Sequence, residues 1–175
     1  MIINAVFPRI SSYVKEVKTV GAVRFAKERD IPEINAIRKE VSMLHAEGRP
    51  DIFKADFGAE LENRLSEYIS SADKKAVVFE QDGEIRGFAM LTLVERPGGA
   101  YTLPRKFIHI EEFGTASKYR HMGIGRAMTD FIAEFGKLNG FPKIELDVWE
   151  FNGAAMQFYE DMGYKVYRRF MELEI

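Results

Sequence analysis

The chain contains no cysteine. Disulfides, thiolate metal sites and a cysteine nucleophile are therefore all excluded. It also lacks any apolar run approaching the ~18 residues that a membrane span needs. No basic segment followed by an apolar stretch opens it, so no signal peptide is visible and the cytoplasm is the expected location. A large excess of charge of either sign is missing too. The 175 residues carry a formal net charge of -2, which argues against a general nucleic-acid or anionic-membrane binder and leaves room only for a local basic patch. No internal repeat, low-complexity tract or second domain is evident. With 46% apolar residues, the chain reads as one soluble domain able to bury its own core.

Residues 1–20 stand apart as an N-terminal extension, because Pro8 interrupts a short apolar piece and the following Val14, Val17 and Val20 form too short a helical pattern to stand alone. From residue 21 to residue 175 the patterning is regular. AVRFA alternates as a first strand. Asp30 with Glu33 three residues later predicts a capping box, and Ile34, Ile37, Val41 and Leu44 give the helix an apolar stripe that Gly48 ends. A second helix is predicted over 56–71, with Leu61, Leu65, Tyr68 and Ile69 inward. Asp82-Gly83 between alternating runs predicts a hairpin. Strands follow at 107–115 and 143–149, with a helix from Gly123 to Asn139 between them. A short helix capped by Asn152 leads to a last strand, YKVYRRFMELEI, at 164–175. Hairpin strands beside strands separated by helices imply an α/β (α+β) domain with a mixed sheet.

The stretch KYRHMGIGRAM, residues 118–128, concentrates chemistry. Lys118, Arg120, His121 and Arg126 surround Gly123-Ile124-Gly125 where the helix begins. A helix start leaves N–H groups unpaired and carries partial positive charge, and glycines let an anion come close, so the stretch suits phosphate. It is not a G-x-x-x-x-G-K-[ST] loop. It also fails the dinucleotide pattern G-x-G-x-x-G, because Met128 stands at the third glycine and a polar segment separates the loop from the preceding strand. A plain turn remains the alternative.

The second cluster is LDVWEFNGAAMQFYEDMGY. Asn152 starts a helix on which Ala155 and Tyr159 lie four apart and share a face, a small residue beside a phenol. Tyr159 alone could equally be a packed aromatic.

Taken together, these residues resemble the GNAT superfamily of N-acetyltransferases. The first motif, R-x-x-G-x-G, matches Arg120-His121-Met122-Gly123-Ile124-Gly125. The second, N-x-x-A-x-x-x-Y-x-x-x-G-[FY], matches Asn152, Ala155, Tyr159, Gly163 and Tyr164. The resemblance covers residues 21–175. His121 departs from it, since glycine is frequent at that position. What it implies is a central mixed, mostly antiparallel sheet, splayed between two strands and flanked by about four helices. It implies acetyl-CoA as cosubstrate, with the pyrophosphate on Arg120 through Arg126. The pantetheine arm would lie between strands 107–115 and 143–149, against Phe113, Gly114 and Thr115 and near Asn152, Ala155 and Tyr159. HAEGRPDIF, residues 45–53, resembles a stretch where acceptors bind. No metal is implied. The expected partners are acetyl-CoA and an amine acceptor, with no nucleic acid or membrane, and a homodimer is one assembly left open. A catalytically silent acyl-CoA-binding sensor or interaction module is the alternative.

The chemistry of acetyl transfer then assigns roles. Tyr159 is suited to protonate the leaving thiolate. With no cysteine, direct attack by the amine in a ternary complex is favoured over an acyl-enzyme. On FIHIEEF, Ile108 and Ile110 share one face while His109 and Glu111 share the other, and a bulge near Glu112 would turn a carboxylate toward the cleft. Glu111 and Glu112 are the candidate bases, with His109 third. A merely solvated strand face is the alternative. His45 could touch an acceptor, although a surface histidine is the simpler reading. Trp149 reads as packing, and Glu145 and Asp147 receive no role.

Overall fold

The structure, a computed structural model, describes residues 15–16 and 21–175. Apart from Lys15–Glu16, the expected N-terminal extension lies outside the described residues. Among the described residues, six strands form one sheet in sequence order: β1 (Lys15–Glu16), β2 (Gly21–Phe25), β3 (Lys74–Gln81), β4 (Glu84–Arg96), β5 (Arg105–Thr115) and β6 (Ile144–Leu146). β1 to β5 pair antiparallel, and only β5 with β6 is parallel, so the sheet is mixed as the sequence implied. Four α-helices flank it: α1 (Ile31–Gly48), α2 (Ala59–Ser70), α3 (Ile124–Leu138) and α4 (Gly153–Asp161). Among the described residues, no helix is long and apolar enough to cross a membrane.

Each sheet face has its own core. On one, Ile34 and Ile37 of α1 and Leu65 and Tyr68 of α2 pack on Val78, Phe88 and Met90. On the other, Met128, Phe131, Ile132 and Phe135 of α3 pack on Val77, Ala89, Leu91, Ile108 and Ile110. The period-2 alternation of β4 and the 3.6 period of α3 supply these faces. The β3–β4 turn places Asp82 at φ 55° and Gly83 at φ 78°, the two left-handed positions of a type I′ hairpin.

Two expectations are corrected. Asp30 does not cap α1 with its side chain. Its carboxylate instead takes hydrogen bonds from Arg24 and from the Lys27 N–H. Glu33 reaches across to accept from the Ile85 N–H at 2.9 Å. Both residues of the apparent capping box thus tie α1 to the sheet, because a neighbouring guanidinium and an unpaired strand amide outcompete the helix's own N–H groups. The last strand is also absent: residues 164–175 have no regular structure, and Val166, Tyr167, Phe170, Met171 and Leu173 are exposed. Strand-forming residues need a ladder partner, and β6 beside them is only three residues long. The segment is held by side chains, with Tyr167 donating to Glu145 and Glu172 pairing with Arg49.

Gly87 shows how closely α3 sits on the sheet. A Cβ there would meet Ile124 Cγ2 at 2.8 Å, Met128 Cε at 2.9 Å and the Gly114 carbonyl at 3.2 Å. Gly87→Val should destabilise the fold by about 1–3 kcal/mol through overpacking, measured by urea denaturation, and a neutral result would contradict this packing of α3.

Candidate active site

The site begins where β6 ends. β5 and β6 pair at Ile108–Ile144, His109–Glu145 and Ile110–Leu146, and no further. β5 continues for five more residues to Thr115. The cause of the parting lies in β5. Its register with β4 shifts, with Leu91 opposite Ile110 but Met90 opposite Glu112, so Glu111 is the extra residue of a bulge. The expected bulge is therefore present.

The bulge changes which way the backbone points. The Ile108 N–H is given to Lys143 on the β6 side, whereas the Ala116 N–H is given to Arg86 on the β4 side. Counting back in twos from Ala116, Gly114 and Glu112 also turn their backbone groups toward β4. Phe113 and Thr115 must then turn theirs toward the space that β6 has left. Among the described residues they form a row of unpaired strand groups facing a gap.

The bulge also sets the two carboxylates on one face. Ile108 and Ile110 belong to the α3 core, so His109 and Glu111 point to the other face. One position of slip puts Glu112 there too. Their surroundings differ. Glu112 is gripped by Arg38, whose Nε and Nη2 donate to its two oxygens at 2.8 Å each. The Arg38 side chain is fully buried; its remaining nitrogen donates to Asn35 and to the Leu61 carbonyl, and its plane lies over Phe57. Glu111 is exposed and accepts from the Thr92 hydroxyl at 2.8 Å. His109 stands between two carboxylates, with its Nε2 3.9 Å from Glu111 and 3.8 Å from Asp147. Asp147 is the first residue past β6, so this contact spans the mouth of the gap. No role was expected for it.

On the α3 face, the glycine loop closes the far end. Gly123 precedes α3 at φ 81°, and a Cβ there would meet nothing, so its glycine serves backbone conformation. His121 is also left-handed, at φ 63°, which accounts for the suitability of glycine at that position. Gly125 has another reason: a Cβ would lie 3.0 Å from the Phe158 ring of α4. Its bareness seats α4 as well as opening the loop. The first bond of the turn runs from the Ala127 N–H to Gly123, leaving the N–H groups of Gly123, Ile124, Gly125 and Arg126 as the orphans of the helix start. Met122 beside them is exposed. Of the four basic side chains, Lys118 is committed elsewhere, to Glu84 at 2.6 Å. Arg120, His121 and Arg126 make no ion pair among the described residues, and all three are exposed. This is a ready site for a polyanion.

α4 links loop and gap. Asn152 caps it as predicted, its side chain accepting from the Ala155 N–H at 3.1 Å. Tyr159 then packs beside Phe113, with ring centroids 6.3 Å apart, and beside Phe158 and Tyr164. Its hydroxyl has no hydrogen-bond partner among the described residues. Burial, and then the neighbouring Tyr164 phenol, push the Tyr159 hydroxyl above its ordinary value, and burial pushes Tyr164 up to about 12. The Tyr164 hydroxyl is buried without a partner. Phe113, Gly114 and Thr115 split by face: a Cβ at Gly114 would point at Phe88 and Val41 beneath α1, while Phe113 faces α4.

Sequence reasoning missed Arg38, because an arginine inside the α1 apolar stripe reads as a surface residue until its partner is known. It placed His45 and Phe53 in the acceptor-like stretch and read Trp149 as packing, but did not foresee that Phe53, Trp149 and Phe151 gather around His45 beyond Asp147.

A sequence model described as the acetyltransferase (GNAT) family matches residues 43–164. The structure superimposes on that of the tetramutant of BH1408 protein from Bacillus halodurans with a TM-score of 0.84, at 27% identity, covering 87% of this chain and 99% of that one. Among sequences, an uncharacterized N-acetyltransferase in the pepI 3' region of Lactobacillus delbrueckii subsp. lactis is 25% identical over 139 residues, 78% of this chain and 79% of its own length. Mouse N-acetyltransferase family 8 member 3 is 26% identical over 98 residues, 56% of this chain; the match spans only 42% of the mouse protein.

Glu112→Ala would strand the buried Arg38 charge and should cost about 3–5 kcal/mol, whereas Arg38→Met combined with Glu112→Leu should recover most of that loss. Urea denaturation checks both; a single variant as stable as the double would show that the pair does not hold the bulge.

Proposed function

The chain belongs to the acetyltransferase (GNAT) family, and on that premise we propose that it transfers an acetyl group from acetyl-CoA to a primary amine by direct attack in a ternary complex. The observation that carries this reading is the parting of β5 from β6, with Phe113 and Thr115 presenting unpaired backbone groups to a gap that runs toward an anion-ready helix start. The parts fit the cosubstrate. The pyrophosphate suits the N–H groups of Gly123 through Arg126, with Arg120, His121 and Arg126 balancing its charge. Met122, Ile124 and Ala155 would border the same coenzyme. The amide-rich pantetheine arm suits the free edge of Phe113–Gly114–Thr115, as an added strand would. Asn152 fixes the start of α4, and α4 brings Tyr159 alongside.

In the reaction, the amine nitrogen forms a bond to the thioester carbonyl carbon, and the carbon–sulfur bond breaks after a tetrahedral intermediate. One N–H proton must leave the nitrogen, and the departing sulfur must gain one. An alkylamine with a pKa of roughly 10.4 is mostly protonated at neutral pH, so a nearby carboxylate matters. Of the two candidates, Glu112 is engaged by Arg38 and is assigned the role of holding the bulge. Glu111, exposed beside His109 and Asp147 at the mouth of the gap, is assigned the proton. The Phe113 N–H, facing the gap, is the assigned donor to the carbonyl oxygen as charge develops there. Tyr159 donates a hydrogen bond to the sulfur as negative charge grows there; burial raises the phenol, so it keeps its own proton, and the coenzyme A thiolate takes its proton from solvent.

Tyr159→Phe retains the ring and its packing and removes only the donor. It should lower kcat by about ten- to a thousandfold, with acetyl-CoA affinity changed by less than about threefold. Because the phenol stays protonated, the ratio of variant to parent kcat should be flat from about pH 6 to 9. An unchanged kcat with chemistry rate-limiting would leave Tyr159 a packing residue. Acetyl-CoA binding with no coenzyme A release toward any amine would favour the silent binding module instead.

A further inference from the structure

Beyond Asp147 the chain builds an aromatic wall. Trp149 meets Phe53 edge-on at 5.2 Å and stacks with Phe151 at 6.2 Å, 25° from parallel. His45, near the end of α1, touches Phe53 at 5.2 Å and Phe151 at 6.0 Å. Two contacts place these rings. The His45 Nδ1–H donates to the Val41 carbonyl at 2.8 Å, which fixes its ring. Phe151 lies directly over Gly48, where any Cβ would run into its ring. The last glycine of α1 therefore does more than end a helix: it admits Phe151 and anchors the segment after β6 to α1.

The wall is not sealed. Phe53, Trp149 and His45 are half-buried and Phe151 is 36% exposed, although large aromatic surface is ordinarily covered. Its place is also specific. It lies on the segment that carries Asp147, only two residues from it, so the two Cα atoms are at most about 7 Å apart. Asp147, His109 and Glu111 stand at the mouth of the gap on the same chain segment and its neighbouring strand. The one cation on the wall among the described residues, Arg49 over Trp149, is paired with Asp51 and Glu172. The negative end of the α1 dipole faces the same region. Carboxylates, a helix C-terminus and aromatic faces all favour a cation, and the rings favour an apolar, planar body attached to it.

We infer that Phe53, Trp149 and Phe151 seat the acceptor, and that the acceptor is a primary amine carrying an aromatic ring, with its ammonium directed to Glu111 and Asp147. This rests on the amine acetyltransferase reading given above. Trp149 is then a specificity-determining residue, because it is central to the wall and nearest in sequence to Asp147.

The test is coenzyme A release with two amines of similar basicity and opposite character, 2-phenylethylamine and ethanolamine. The expected kcat/KM is at least about tenfold higher for 2-phenylethylamine, the scale on which a good apolar contact discriminates. Trp149→Ala should lower that ratio by about tenfold or more, and Trp149→Phe should restore part of it. Acetyl-CoA-induced stabilisation, read as a melting-temperature shift, confirms that each variant is folded; where Trp149→Ala fails that control, Trp149→Leu takes its place. Equal use of the two amines, preference for ethanolamine, or a ratio unmoved in a folded Trp149 variant would overturn the inference and leave the acetyltransferase reading standing. Turnover of neither these nor any other amine tested, with acetyl-CoA still bound, would overturn that reading and the inference together.

Discussion

The bidentate pair between Arg38 and Glu112 is the constraint on which the rest depends. A bulge in a strand is easily lost by slippage, since one residue of shift restores the regular ladder. Here the slip is blocked from outside the sheet. Arg38 is fully buried, and its guanidinium makes four hydrogen bonds, two to Glu112 and one each to Asn35 and the Leu61 carbonyl. Undoing the bulge would withdraw the carboxylate that balances the Arg38 guanidinium, the only one paired with it among the described residues. α1 and α2 thus determine where β5 turns its backbone. From that follow the parting from β6, the outward-facing groups of Phe113 and Thr115, and the exposure of Glu111 at the mouth of the gap.

The two ends of the gap differ in charge, and that difference orders the site. At the α3 end, two arginines, a histidine and a helix N-terminus suit an anion. At the other end, Glu111 and Asp147 flank His109, and a helix C-terminus lies near. A ligand with an anionic tail and a partner with a cationic head would each find one orientation favourable. α4 bridges the ends: Phe158 closes on Gly125, and Tyr159 closes on Phe113.

Much of this was legible in the sequence where the information is local. The I′ hairpin at Asp82-Gly83, the Asn152 cap, the glycine start of α3 and the facing of Ile108 and Ile110 against His109 and Glu111 all depend on a few adjacent residues. What could not be read depends on partners far along the chain. Arg38 and Glu112 are 74 positions apart. The apparent capping box at Asp30 and Glu33 was redirected to Arg24 and Ile85, and the strand-like C-terminal segment found too short an edge to join. Gly48 and Gly125 looked like a stop and a phosphate position, yet each also makes room for a phenylalanine ring. Local chemistry names the candidates, and tertiary contact decides which remain free to act.

Amide hydrogen exchange, resolved by residue and compared with and without coenzyme A, tests the central claim most directly. The account predicts that the N–H groups of Phe113, Thr115 and Gly123 through Arg126 exchange readily in the free protein and slow together on binding, since each then gains a partner. Protection confined to other segments, with Phe113 and Thr115 unchanged, would contradict the claim that the gap between β5 and β6 receives the coenzyme.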